Sequence, residues 1–316
     1  MSKHDGTRIG WIGTGRMGAA LAKRLLEAGH DVAVYNRTRS KAEALGATVV
    51  DSPAELADRD IVFTMVAGSD DFKEVVIGPN GVLSRADAAP RMLIDSTTIS
   101  QAASDEVRAA AAERGTAVLA APVSGNAKVV AAGRLTMVVS GPAKAHEEAR
   151  ALLELLAAGV TYVGEGDRAR LVKICHNLML GVVAQTMAEI AVLAEKGGVS
   201  RADFFDFLND SVMGSMFTRY KTPAYVNLDF KPTFTPALLL KDFLLGADAA
   251  RDLEVPMPVS AAAQQTVQAL IGNGYHDVDF AALLELEARA SGLELVSEDA
   301  PVTDGLRDDE PMAAAR

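Results

Sequence analysis

Between Arg8-Ile9-Gly10-Trp11-Ile12, which reads as a β-strand, and the helix-period run from Met17 to Ala28 stands Gly13-Thr14-Gly15-Arg16-Met17-Gly18. A Gly-x-Gly-x-x-Gly in that place restricts the fold more than any other feature of the chain. The first glycine makes the tight turn, the second lets backbone N–H groups approach a pyrophosphate, and the third lets the helix pack on the sheet. Gly29 closes the helix and Asp31 to Tyr35 reads as the next strand. The spacing predicts a βαβ unit whose first turn, Gly13 to Gly18, holds a dinucleotide. The bland alternative is a glycine-rich turn without a ligand.

At the end of the second strand an NAD site would put Asp or Glu on the ribose 2′-hydroxyl. This chain has Asn36-Arg37-Thr38-Arg39 there. An acid would repel a 2′-phosphate, whereas a guanidinium pairs with it through two hydrogen bonds. NADP is therefore expected over NAD, with NAD as the alternative if Arg37 is only a solvated arginine in a turn.

Short β-branched runs go on alternating with alanine-rich helical stretches, the pattern of a parallel sheet. Strands are predicted at Ile61 to Val66, Met92 to Asp95, Ala117 to Ala120 and Thr136 to Ser140, with helices at Ser40 to Leu45, Ser52 to Ala57, Ser100 to Arg114 and Lys144 to Leu156. After Thr161-Tyr162-Val163-Gly164 the strand signal stops. Residues 166–196 contain no proline and end at Gly197-Gly198, which predicts one helix roughly 45 Å long, of the kind that joins domains. Ser200 to Asn209, Ala237 to Asp252, Val259 to Asn273 and Phe280 to Ser291 read as further helices. The expected division is a nucleotide-binding α/β domain over 1–165, an all-α domain over 166–297 that includes the long helix, and a disordered acidic tail over 298–316.

With 316 residues, 49 % hydrophobic and 23 % charged, the chain is large enough for two cores and neither disordered nor fibrous in composition. Its net charge of −11 argues against nucleic acid or an anionic membrane as the main partner. The stretch from Glu298 to Arg316 carries −4 of that charge. A single cysteine, Cys175, forms no internal disulfide and no cysteine-rich metal site, which fits a reducing, cytoplasmic setting. No metal site is expected, the first residues lack the apolar core of a signal peptide, and no segment reads as long enough to cross a bilayer.

Four separated motifs now resemble those of the β-hydroxyacid dehydrogenases, the group that includes 3-hydroxyisobutyrate dehydrogenase, tartronate semialdehyde reductase and glyoxylate/succinic semialdehyde reductase. They are Gly10 to Gly18; Ala121-Pro122-Val123-Ser124-Gly125 followed by Gly133-Arg134-Leu135-Thr136; Lys173-Ile174-Cys175-His176-Asn177 on the long helix; and Leu240-Lys241-Asp242. The resemblance implies an α/β Rossmann domain followed by an all-α C-terminal domain, joined by the long interdomain helix, with the active site in the cleft. It implies Lys173 as the general acid/base. Moving a hydride from a carbinol carbon to nicotinamide requires a proton to leave the hydroxyl, and the reverse requires protonating the alkoxide. Asn177, four residues on and so on the same helical face, is placed to hydrogen-bond the same oxygen. By the same resemblance Ser124 and Gly125 hold a substrate carboxylate, Lys241 closes on cofactor and substrate, Phe234 lies toward the cleft, and Met65, Val66, Thr97 and Thr98 contact the adenosine ribose and nicotinamide.

Two departures bear on the substrate. Asn126 stands where the family commonly has glycine, and either adds a hydrogen bond to a substrate hydroxyl or fills the pocket. His176 replaces a common asparagine and reads as a neutral hydrogen-bonding substitute rather than a second acid/base or a metal ligand. The expected activity is hydride transfer between NADP(H) and a small β-hydroxy acid or its semialdehyde, in a homodimer or homotetramer. Imine reduction on the same scaffold and NADPH binding without turnover are the alternatives. A sugar phosphate is not expected, because the α-domain has no dense basic cluster.

Overall fold

The computed structural model describes residues 6–306, so residues 307–316 of the expected tail lie outside the described part. It divides into two compact units that part in sequence between Lys173 and Ile174. The first is built on β1 (Arg8–Ile12), α1 (Arg16–Glu27), β2 (Asp31–Tyr35), α2 (Arg39–Glu43), β3 (Thr48–Val49), β4 (Ile61–Thr64), α3 (Ser69–Ile77), β5 (Met92–Asp95), α4 (Gln101–Glu113) and β6 (Ala117–Ala120). These strands form one parallel sheet in the order β3-β2-β1-β4-β5-β6. Their runs are apolar on both faces because helices cover both. Ile9 and Trp11 of β1 enter the core with α1, while Ile12 faces the one built with Phe72, Val76 and Val107 of α3 and α4. The Ser52 to Ala57 segment forms a 3-10 turn, Pro53–Leu56, rather than an α-helix.

A smaller sheet follows, from β7 (Val123–Ser124), α5 (Ala127–Ala131), β8 (Thr136–Val139), α6 (Ala143–Leu156) and β9 (Gly159–Tyr162), with β7 antiparallel and β9 parallel to β8. Helix α7 then runs over Arg168–Lys196. By length and composition it would suit a membrane span, contrary to the expectation that no segment is long enough. Half of its most apolar stretch is buried, and Leu178, Ala184, Met187, Ala188, Ala191 and Val192 belong to the core of the second unit.

Around that core stand α8 (Arg201–Asp210), α9 (Met216–Asn227), α10 (Pro236–Asp252), α11 (Pro258–Gly272) and α12 (Leu283–Ala290). Helix α9 carries Pro223 in its interior, which hides its helical pattern from a sequence reading. Helices α7 and α10 meet through glycines: a Cβ at Gly181 would lie 2.5 Å from the Phe243 ring, and one at Gly246 would lie 2.6 Å from Leu178. That approach is closer than any side chain would allow.

The expectation of disorder from Glu298 fails over the described part of the tail. The Glu298 carboxylate accepts from the backbone N–H of Arg201 at 2.7 Å and of Ala202 at 2.8 Å, so this acid caps the positive end of α8. Ala300 exchanges hydrogen bonds with the Asn227 side chain, and Leu306 is buried.

Candidate functional site

The sheet order reverses between β1 and β4, and ligands of open α/β sheets bind outside the carboxyl ends of strands at such a point. Gly13, Asn36, Met65 and the stretch Ser96-Thr97 directly follow β1, β2, β4 and β5. Gly13 has a φ of +96°, a region open to glycine. A Cβ there would lie 2.2 Å from the Met65 carbonyl oxygen, and one at Gly18 would lie 2.0 Å from that of Gly13. Both glycines are therefore required by packing alone. Gly15 is different: a Cβ on it would meet nothing within 4 Å, so the protein's own packing leaves that position open.

The surroundings of Gly15 suit a pyrophosphate. Helix α1 begins there with no cap bond from its N-cap residue, Gly15, and the first-turn N–H groups and dipole of a helix start suit an anion. Thr14 is buried and its Oγ1 has no hydrogen-bond partner. The Thr14 N–H donates to Asn36 Oδ1 at 2.9 Å, while Asn36 Nδ2 donates to the Thr38 carbonyl at 2.9 Å. The Asn36 side chain thus braces the glycine turn. Arg37 is 83 % exposed in its side chain and its Nη1 pairs with Asp71 Oδ1 at 2.9 Å. Thr38 stands just before α2, and the Val66 N–H donates to the Thr97 hydroxyl at 3.1 Å. Thr98 is the next residue along that exit.

Ser124 lies in β7 opposite Thr136. Gly125 has a φ of +134°, and a Cβ on it would lie 2.8 Å from Val129. Asn126 is the N-cap of α5, its Oδ1 accepting from the Val129 N–H at 3.1 Å. Neither role weighed for it in the sequence included this one. The signal was present, an asparagine directly before a short apolar helical run.

Lys173 is half-buried on α7, and the division between the units falls directly after it. Asn177, one turn on, is buried, and its Nδ2 donates to Asp242 Oδ2 at 2.5 Å. Its Oδ1 lies 2.9 Å from Nδ1 of the exposed His176. Asp242 is buried on α10 beside Lys241, whose Nζ is 3.5 Å from the other carboxylate oxygen. The glycine contacts between α7 and α10 set this geometry, since Gly181 and Gly246 each lie four residues beyond Asn177 and Asp242. Phe234 packs edge-on against Phe280 at 5.9 Å between centroids, its N–H near Asp279 Oδ2 at 3.3 Å. Asp242 was named in the sequence only as a neighbour of Lys241; its bond to Asn177 spans 65 residues and leaves no local signal.

Residues 8–164 match the family described as the NAD binding domain of 6-phosphogluconate dehydrogenase, and residues 167–286 that of the NAD-binding domain of NADP-dependent 3-hydroxyisobutyrate dehydrogenase. An uncharacterised oxidoreductase of Bacillus subtilis, YfjR, is 34 % identical over 284 residues, covering 88 % of this chain and 99 % of that one. The solved 3-hydroxyisobutyrate dehydrogenase of Mycobacterium tuberculosis with L-serine is 32 % identical, with a TM-score of 0.77 over 89 % of this chain and 98 % of that one. A structure of Psf3 with NADP+ and 2-OPP is 26 % identical, with a TM-score of 0.80 over 88 % of this chain and 99 % of that one. With both of its domains and nearly the full length of these relatives matched, the chain belongs to the 3-hydroxyisobutyrate dehydrogenase-like β-hydroxyacid dehydrogenase family of NAD(P)-dependent oxidoreductases.

Proposed function

We propose that the protein transfers a hydride between NADP(H) and a small β-hydroxy acid or its semialdehyde, with Lys173 as general acid/base. The observation that carries this reading is the Asn177 amide, one helical turn beyond Lys173 on α7, which the buried Asp242 carboxylate fixes at 2.5 Å. The open Gly15 position, the start of α1 with no cap bond from Gly15, and the unpartnered Thr14 hydroxyl fit a dinucleotide pyrophosphate. Arg37 supports the 2′-phosphate, which must displace Asp71 from the guanidinium.

Bound there, the nicotinamide supplies the hydride acceptor or donor. In oxidation, Lys173 Nζ takes the proton that leaves the substrate hydroxyl, and in reduction it returns one to the carbonyl oxygen. Asn177, held by Asp242, orients that oxygen with an amide that cannot swing away. Ser124 and the Gly125 N–H hold the carboxylate, and Lys241 is the cation that the family motif Leu240-Lys241-Asp242 assigns to the ligands. L-Serine, which the Mycobacterium tuberculosis structure carries, is itself a carboxylate with a hydroxyl on its β-carbon, and that supports the substrate class. The reading includes a cytoplasmic setting and a homo-oligomer; the oligomer is supported by large apolar side chains left exposed on the second unit, among them Met179, Leu193 and Phe207.

A panel of β-hydroxy acids including L-serine, their semialdehydes and cyclic imines, followed at the nicotinamide absorbance with both cofactors, tests the proposal. The highest kcat/KM is expected for a β-hydroxy acid or its semialdehyde with the phosphorylated cofactor. Turnover of imines alone, or NADPH binding with no turnover of any class, would overturn it.

A further inference from the structure

The exits of β4 and β5 and the first turn of α7 are tied together by a buried ion pair that hydride transfer does not itself call for. Arg170 is 2 % exposed and Asp95 is 0 %. Nη1 of Arg170 donates both to Asp95 Oδ2 and to the Thr97 carbonyl, each at 2.7 Å. Asp95 Oδ1 accepts from the Thr64 hydroxyl at 2.5 Å and from the Thr97 N–H at 3.2 Å, and the Thr97 hydroxyl accepts from Val66 N–H. On the other side of the guanidinium, Nε reaches Asp167 Oδ1 at 2.9 Å and the Ser104 hydroxyl at 3.3 Å. Arg108 holds the same Asp167 oxygen at 3.2 Å.

Two charges withdrawn from water are a poor source of stability, since an apolar pair of similar volume often does as well or better. Directional bonds do something an apolar contact does not: they fix where the helix starts against two strand exits. Lys173 lies three residues beyond Arg170 on the same helix and in the same compact unit, a rise of roughly 4.5 Å. A shift in the first turn of α7 is therefore passed directly to Lys173.

We propose that Arg170 and Asp95 form a positioning pair that holds Lys173 in register with Val66, Thr97 and Thr98, the strand exits assigned to the cofactor. This rests on the reading of Lys173 as the general acid/base. Neither residue of the pair supplies a proton; each acts through the backbone and helix it fixes. Arg170→Lys keeps the charge and loses the fork, so its single ammonium cannot reproduce the bonds to Asp95, Thr97, Asp167 and Ser104 together.

The test measures folding, exchange and kinetics on the full chain, using the best substrate from the panel. In Arg170→Lys, backbone hydrogen exchange over 95–99 and 168–174 is expected to quicken about tenfold or more. Its kcat is expected to fall about 10- to 100-fold, with KM and the NADPH dissociation constant moving less than about threefold. The double variant Asp95→Asn/Arg170→Met, which leaves no buried charge alone, is expected to recover the melting temperature and not kcat. A kcat within threefold of the parent in either folded variant overturns the proposal, as does a loss of kcat with exchange unchanged. Lys173→Ala run alongside separates the two claims: if it turns over like the parent, the reading of Lys173 fails, and if it is inactive while Arg170→Lys is not impaired, the positioning pair alone fails.

Discussion

The Asn177 amide and the Asp242 carboxylate, 65 residues apart in sequence, meet at 2.5 Å between α7 and α10. Both are buried, so the bond is shielded from water and holds one orientation of the amide. Asp242→Asn removes the anionic acceptor and lets the Asn177 amide turn. Its kcat is expected to fall about 10- to 100-fold, with NADPH affinity changed far less, as steady-state kinetics and a fluorescence titration will show.

Gly13 and Gly15 should respond in opposite ways to a single methyl group. Gly13→Ala meets the Met65 carbonyl and a φ of +96°, and is expected to lower the melting temperature by many degrees with or without cofactor. Gly15→Ala has open space and a φ of −68°. It should melt close to the parent in the absence of ligand and lose most of the rise in melting temperature that NADPH gives the parent.

The Arg37–Asp71 pair sets the cofactor preference in this scheme. Arg37→Asp is expected to weaken NADP binding about 10- to 100-fold, the worth of a charge-assisted pair, and to spare NAD. Asp71→Asn frees the guanidinium and should tighten NADP severalfold while leaving NAD unchanged. Equal effects on both cofactors in isothermal titration would remove the role of the 2′-phosphate.

Lys221 and Asp279 make a buried pair at 2.5 Å in the helical unit, with Asp279 also holding Thr233. Burial alone would push the Asp279 carboxyl up; the Lys221 ammonium and the hydrogen bonds outweigh it and hold it below the usual carboxylate range. A carboxyl depressed in the folded state contributes stability above its unfolded pKa of about 3.9 and loses it as pH falls through the lower folded value. Lys221→Met strands a buried carboxylate and is expected to cost about 3–5 kcal/mol at neutral pH. Urea titrations should show that deficit beginning to shrink above about pH 4, where the variant's Asp279, pushed up by burial once Lys221 is gone, takes up a proton, and shrinking further below it as the parent loses its own contribution.

The parts of this fold that were legible in the sequence are those whose cause is local. The turn Gly13 to Gly18 and the long α7 announce themselves by spacing, because each is decided by residues within a turn or two. Helix α9 escaped because Pro223 interrupts its pattern; the capping box of Ser215 and Thr218 was the available signal. Glu298 looked like one more solvated acid, since nothing near it in sequence reveals the α8 N-terminus it caps. Asp95, Arg170 and Asp242 were out of reach for the same reason. Their partners lie 65 to 75 residues away, and only the folded chain brings them together.

The most direct test of the chemistry is the pair of kcat values for the parent and Lys173→Ala, measured with saturating NADP(H) on the best substrate of the panel. A loss of about 10²- to 10⁴-fold with NADPH affinity retained is the expected result, in line with removal of a positioned general acid/base. A folded Lys173→Ala protein that turns over within a few-fold of the parent would contradict the assignment of Lys173.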